Sequence, residues 1–164
     1  MTPEGRKDLA DFLLAEYIYR IDFIRGSIFV MALLPLLYGV STWIFGMDLW
    51  SGSEVYETAL ALPGAPQSWG SMFVAIGVSL VFCSFKRHLC ILRVAALAGA
   101  VIMGMFMITF SVEYYWRRNE SAIPPALAWM IFSLMFFNLW RYATKMRALE
   151  KVHSGDPDEH SSDP

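Results

Sequence analysis

Cys83, His88 and Cys90 lie close together near the middle of the chain. Thiolate and imidazole groups can ligate zinc, and a low-pKa thiolate can act as a nucleophile or redox group. The two cysteines are seven residues apart and form no C-x-x-C motif, so their spacing fits neither a known zinc framework nor a dithiol redox site. The sequence therefore predicts no metal site here, and ordinary small side chains at both cysteines.

The other groups that could do chemistry are few. The three histidines, His88, His153 and His160, fall outside the long apolar segments, so no two helices can hold a haem between them. The sequence has no Ser/His/Asp arrangement, phosphate-binding loop or paired carboxylates at catalytic spacing. Glu113 follows an apolar segment, where we expect a solvated carboxylate. We therefore expect no cofactor and no enzymatic activity, and the lack of an acidic residue within the apolar segments disfavours a proton-coupled transporter.

Long uncharged segments decide the fold class. The chain is 56% hydrophobic, with a mean hydropathy of +0.43. At 1.5 Å per residue, a helix of about 20 residues crosses the roughly 30 Å of bilayer hydrocarbon. The uncharged segments are residues 27–46, 69–85, 94–112 and 121–140. A soluble helical core does not need such runs, so the sequence predicts an all-α integral membrane protein with four transmembrane helices.

Lysine and arginine are distributed unevenly between the connections. Residues 1–26, 86–93 and 141–164 hold 11 of the 13, and the alternate connections hold only Arg117 and Arg118. Because positive residues stay on the cytoplasmic side, both termini are predicted to be cytoplasmic. The cluster of Lys86, Arg87 and Arg93 is then a turn at the inner surface, where anionic headgroups favour each cation by about 1 kcal/mol. It has too few charges and aromatic residues for a nucleic-acid site.

The segments flanking the spans complete the predicted layout. Residues 7–25 are too charged to cross a membrane and place their apolar side chains on one side of a helix. Two interpretations stay open: this amphipathic helix packs beneath the bundle, or it lies on the inner leaflet or against a protein partner. The predicted layout is a cytoplasmic amphipathic helix (1–26), transmembrane helix one (27–46), an outer loop (47–68), helix two (69–85), a basic cytoplasmic turn (86–93), helix three (94–112), an outer loop (113–120), helix four (121–140), and a helix end with a disordered tail (141–164).

Tryptophan placement fits the same layout. Trp43, Trp50, Trp69 and Trp116 fall at predicted outer boundaries of the spans. Trp140 and Tyr142 fall at an inner boundary. Tryptophan and tyrosine are enriched at membrane–water interfaces, so these six residues are predicted to form interfacial belts. An interfacial belt accounts for these rings, so no aromatic cage around a ligand needs to be invoked.

Small residues recur every fourth position in two of the spans. They are Ser71, Ala75, Ser79 and Cys83 in helix two, and Ala96, Ala100 and Gly104 in helix three. Small side chains at this spacing let two helix backbones approach closely in lipid. The two stripes either face each other in an antiparallel hairpin, or one faces outward and drives self-association. A homo-oligomer in the bilayer is the expected assembly.

Residues 62–77, "LPGAPQSWGSMFVAIG", followed by the basic turn, give the chain a family resemblance. The motif and span layout resemble small four-span membrane proteins of actinobacterial tailed phages, which are described as holin-like or simply as membrane proteins. The resemblance implies residence in the bacterial cytoplasmic membrane and lesion formation by self-association, with no catalytic residue. A second function stays open: a non-enzymatic accessory or scaffold subunit whose N-terminal helix holds a partner at the inner leaflet.

Overall fold

In a computed structural model, the described part of the chain includes six α-helices and a short 3₁₀ helix. The structure describes residues 3–51, 56–61, 63–86 and 88–154, with side chains at Tyr19 and at residues 21–50, 56, 59–61, 63–86 and 88–150. The helices are α1 (Pro3–Phe45), α2 (Met47–Ser51), α3 (Glu57–Leu60), α4 (Gln67–Phe85), α5 (Leu89–Arg117) and α6 (Ile123–Ser154), with the 3₁₀ helix at Glu120–Ala122.

Four stretches are long and apolar enough to cross a membrane. They are Ile21–Phe45, Gln67–Phe85, Leu89–Arg117 and Glu120–Glu150. Large apolar side chains face outward from them, such as Val78, Val101 and Leu134, each more than half exposed. A soluble bundle turns such residues inward, whereas a bilayer solvates them. The predicted fold class, an all-α protein with four candidate transmembrane helices, is confirmed.

The long helices run alternately up and down and pack mainly as two pairs. Helix α1 packs along α4, and α5 packs along α6, whereas α4 and α5 touch over a shorter stretch. The connection at residues 86–88 lies at one end of the bundle, called the turn end below. The connections at residues 46–66 and 118–122 lie at the other, called the loop end. Because the chain crosses the bundle four times, α1 begins and α6 ends at the turn end.

Helix boundaries differ from the sequence layout in three places. Helix α1 is continuous across the division placed at residue 26, because nothing there breaks it. Helix α5 begins at Leu89, where the Leu92 amide donates to the His88 carbonyl over 3.0 Å, so the turn is shorter than 86–93 and Arg93 is helical. It also continues to Arg117, beyond the end placed at residue 112. Backbone N–H and C=O groups that face lipid must be hydrogen-bonded within the protein. This requirement favours helices that continue through the membrane boundary.

Two further predictions reach beyond the described part of the chain. Helix α6 continues to Ser154, so the predicted helix end after the fourth span is present, but the tail at residues 155–164 lies outside the described residues. The side chains of residues 3–18 lie outside them as well. The amphipathic face and its position at the interface therefore stay predictions.

Candidate functional site

Glycine backbones form the contact between α1 and α4. A Cβ atom added to Gly39 would lie 2.7 Å from the Gly70 carbonyl oxygen and from the Val74 amide nitrogen. A Cβ atom on Gly77 would lie 2.7 Å from Leu36 Cβ. These distances leave no space for a side chain, so the two helices meet backbone to backbone. Sequence reasoning followed the four-residue spacing and missed this contact, although Gly70 and Gly77 are seven residues apart and share one face of α4.

The predicted stripe on α4 faces largely outward. Ser71 and Ala75 are exposed, Ser79 is half-buried and Cys83 is buried. Both serine hydroxyls donate to carbonyls of their own helix, Ser71 to Gln67 over 2.8 Å and Ser79 to Ala75 over 2.7 Å. Ala75 and Ser79 border a shallow groove of about 350 Å³ between α4 and α5. The exposed residues of this stripe, Ser71 and Ala75, are therefore available for contacts outside the bundle.

The predicted stripe on α5 packs inside the bundle, against α6. Ala96 is fully buried and Ala100 is 8% exposed. The Ser133 hydroxyl of α6 donates to the Ala100 carbonyl over 2.8 Å, and a Cβ on Gly104 would lie 3.4 Å from the same hydroxyl oxygen. The two stripes thus lie on different surfaces. Of the two arrangements considered from sequence, the structure corresponds to an outward-facing α4 stripe rather than a hairpin of facing stripes.

Aromatic rings fill the interior at the loop end. The Phe106 ring lies 4.7 Å from Trp69 and 5.0 Å from Trp129, centroid to centroid. Trp50 is also inside, 5.7 Å from Phe106. Helix α2 and residues 56–60 pack against the ends of the long helices, where Trp69 Nε1 donates to the Ala59 carbonyl over 3.0 Å. The rings leave this part of the interior apolar.

The interfacial belt predicted from sequence is wrong for two of its four outer members. Trp50 is fully buried and Trp69 is 3% exposed, since the first loop covers both. Trp43 and Trp116, by contrast, are 56% and 78% exposed. Of the four outer tryptophans, these two can meet the membrane interface directly, and the inner pair, Trp140 and Tyr142, is half-buried.

Glu113 is buried rather than solvated. Its side chain is fully buried, and its Oε2 atom lies 3.3 Å from Arg117 Nε, one helical turn further along α5. Because α5 continues to Arg117, Glu113 faces the core beside that ion pair instead of capping the helix. The carboxylate belongs to the packing of the loop end.

Two of the three cations of the basic turn, Lys86 and Arg93, have described surroundings, and these differ. The Lys86 ammonium lies 5.7 Å from the centre of the Phe82 ring. The Phe82 ring also stacks on the His88 imidazole, with centroids 5.4 Å apart. Arg93 lies in α5, where it borders Thr144 and other residues of α6. Arg87 lies outside the described residues.

The two cysteines have different surroundings. Cys83 is buried, and its thiol donates to the His88 carbonyl over 3.7 Å. Cys90 is exposed, and Arg147 Nη1 donates to its sulfur over 3.6 Å. Each sulfur is thus engaged with a neighbouring helix or turn in the bundle.

Helix length, hydropathy and the apolar outer surface define the chain as a multi-pass membrane protein. Comparisons with protein-family models, with curated proteins and with solved structures gave no match. The resemblance to four-span phage proteins therefore stays a prediction.

Orientation in the membrane can be measured with cysteine variants. In a chain carrying Cys83→Ala and Cys90→Ala, we expect a membrane-impermeant maleimide to label Pro63→Cys and Glu120→Cys on intact cells. His88→Cys should be labelled only after permeabilisation, because the cationic connections stay cytoplasmic. Labelling of His88→Cys from outside, with none at Pro63→Cys, would reverse the predicted orientation.

Proposed function

We propose that the protein is non-enzymatic and holin-like: it self-associates in the bacterial cytoplasmic membrane and, above a threshold density, opens a lesion. The observation that carries the proposal is the outward position of the small α4 stripe, Ser71, Ala75 and Ser79, around an interior filled with aromatic rings. Small side chains in lipid let a second helix approach closely, where van der Waals contact is the main attraction. A second copy of this chain is the proposed occupant of that surface.

Polar side chains within the spans support an assembly rather than a single-chain pore. Ser71, Ser111 and Asn138 are exposed on the outer surface of the bundle. Among the described residues, the buried polar side chains are Thr42, Ser84 and Glu113, and the first two donate to carbonyls of their own helix. Outward polar groups meet one another only when several copies pack together. A water-filled defect would therefore form between copies and not through one.

The test is membrane potential measured across graded expression in a bacterial host. We expect a voltage-sensitive dye to report a sustained potential at low protein levels and abrupt depolarisation above a threshold, because self-association depends steeply on density. Ala75→Leu should raise the threshold by filling the stripe. Ala128→Leu makes the same change at an exposed position on α6 and should leave the threshold unchanged. A sustained potential at high levels of correctly inserted protein would refute lesion formation.

A second candidate function is that of an accessory subunit holding a cytoplasmic partner. Helix α1 favours it, since the helix runs without interruption from Pro3 through the first span to Phe45. A partner bound to its first half would be rigidly coupled to the bundle. An accessory subunit would cause no depolarisation threshold as the protein level rises, so the voltage measurement distinguishes it from the holin-like function.

A further inference from the structure

A cavity of about 330 Å³ lies at the turn end, among α1, the α4–α5 turn, α5 and α6. Its walls are mostly apolar, with Ile21 and Ile28 on α1, Leu92 on α5 and Met146 on α6. The volume falls at the lower end of the roughly 300–1,000 Å³ of small-molecule sites. It accommodates the head and part of one chain of an amphiphile rather than a whole lipid.

The pairing of the helices explains why the cavity exists. Helix α1 packs along α4 and α6 along α5, so α1 and α6 are not a closely packed pair. Towards the loop end they meet through the Tyr38 and Trp129 rings, whose centroids are 5.5 Å apart. At the turn end both helices line the cavity, which is partly open. An occupant can therefore enter without unpacking either helix pair.

The cavity lies at the boundary of the apolar spans. Ile28 lies within the uncharged segment 27–46, whereas Ile21 precedes that segment and Glu150 follows the uncharged segment 121–140; all three residues line the cavity. Phe85 and Leu89, where the second span ends and the third begins, flank the connecting turn. The apolar walls thus lie at the level of lipid chains and the mouth at the level of lipid headgroups.

Charges of both signs line this apolar cavity. Arg25 is half-buried on α1, and Glu150 is exposed on α6. Within the described part of the chain, no ion pair joins these two residues. His88 and Tyr142 add polar groups to the lining. A guanidinium and a carboxylate that face one cavity without pairing favour an occupant with both a negative and a positive group.

We propose that the cavity binds an aminophospholipid, a lipid whose head carries a phosphate and a primary ammonium. The phosphate pairs with the Arg25 guanidinium, the ammonium donates to the Glu150 carboxylate, and part of one acyl chain lies against Ile28 and Leu92. An anionic lipid without an amine could pair its phosphate with Arg25 but would offer no cationic donor to the Glu150 carboxylate. The site is separate from the proposed self-association surface, since Ser71, Ala75 and Ser79 do not line the cavity.

Native mass spectrometry of the full-length chain in detergent tests the proposal. The protein is mixed with equal amounts of phosphatidylethanolamine, phosphatidylglycerol and phosphatidylcholine. We expect phosphatidylethanolamine to be retained most, because it alone offers both the phosphate and a hydrogen-bonding ammonium. Arg25→Gln should lower its retention about tenfold, the factor for a lost charge-assisted hydrogen bond. Glu150→Gln should abolish the preference over phosphatidylglycerol.

Matched variants separate binding from folding. Arg141→Gln and Glu120→Gln remove the same charges at exposed positions that do not line the cavity, and should leave retention unchanged. Met146→Trp fills the cavity without changing charge and should reduce retention of phosphatidylethanolamine. Thermal unfolding of each variant identifies any that fail to fold. Equal retention of the three lipids, a preference for phosphatidylglycerol, or unchanged retention in folded Arg25→Gln and Met146→Trp would each overturn the proposal.

Discussion

Gly39→Ala is expected to destabilise the protein by about 3 kcal/mol or more, the upper part of the range for overpacking a close contact. The added methyl would lie 2.7 Å from two backbone atoms of α4, the Gly70 carbonyl oxygen and the Val74 amide nitrogen. Backbone cannot rotate away as a flexible side chain can, so α1 and α4 must separate. Dispersion contacts along the whole pair are then lost, and in lipid these contacts are a main source of helix association. The free energy of unfolding, measured by titration with a denaturing detergent, reports the loss.

Gly26→Ala is the matched control for this substitution. The same methyl on the same helix would meet nothing within 4 Å. Alanine has the higher helix propensity, by about 1 kcal/mol in soluble helices, so this variant should be neutral or slightly stabilised. Equal losses at both glycines would show that the effect is intrinsic to α1 and not caused by its contact with α4.

The spans were predictable because the bilayer imposes a local requirement on sequence. About 20 consecutive apolar residues are needed to cross it, and residues 27–46 or 121–140 meet that requirement without reference to the rest of the chain. Helix ends were less predictable. Leu89 and Arg117 extend α5 past its uncharged core, because charged residues continue a helix readily once it reaches the membrane boundary.

Helix partners were not predictable, because packing depends on residues far apart in the chain. Gly39 meets Gly70 only after the chain has left the membrane and returned. A small residue signals that a close approach is permitted, but its sequence position does not say which helix approaches. Ala100 is an example. The sequence pattern identified its stripe of small residues, but it did not identify its partner, Ser133 of α6, which lies 33 residues away in the chain.

The loop end shows the same limit for polar and aromatic residues. From sequence, Trp69 and Glu113 are boundary residues, and boundary residues usually face water or headgroups. Burial of Trp69 depends on residues 56–60 packing against the helix ends, and burial of Glu113 on α5 continuing to Arg117. No local sequence signal distinguishes a loop that packs against the helix ends, or a helix that continues past the boundary, from an exposed loop.

Trp50→Ala is the substitution for which we expect the largest loss at the loop end, about 3–5 kcal/mol for removing a buried tryptophan. Trp50 is fully buried, and its ring contacts Tyr56 and Phe106 at centroid distances of 5.1 and 5.7 Å. Removing it leaves a cavity beneath the first loop and deprives both neighbours of their contacts. Trp116→Ala removes the same ring at a 78% exposed position and should cost far less. Detergent-titration free energies compare the two directly.

Trp50→Phe separates the contribution of the ring from that of the indole N–H. Trp50 Nε1 is buried and has no hydrogen-bond partner among the described residues. A buried donor without a partner costs about 1–3 kcal/mol, so removing it offsets part of the volume lost. We therefore expect Trp50→Phe to retain most of the stability that Trp50→Ala loses. If Trp50→Phe were instead as unstable as Trp50→Ala, the N–H would have a partner in the folded protein, and the first loop would be held by that hydrogen bond rather than by aromatic packing.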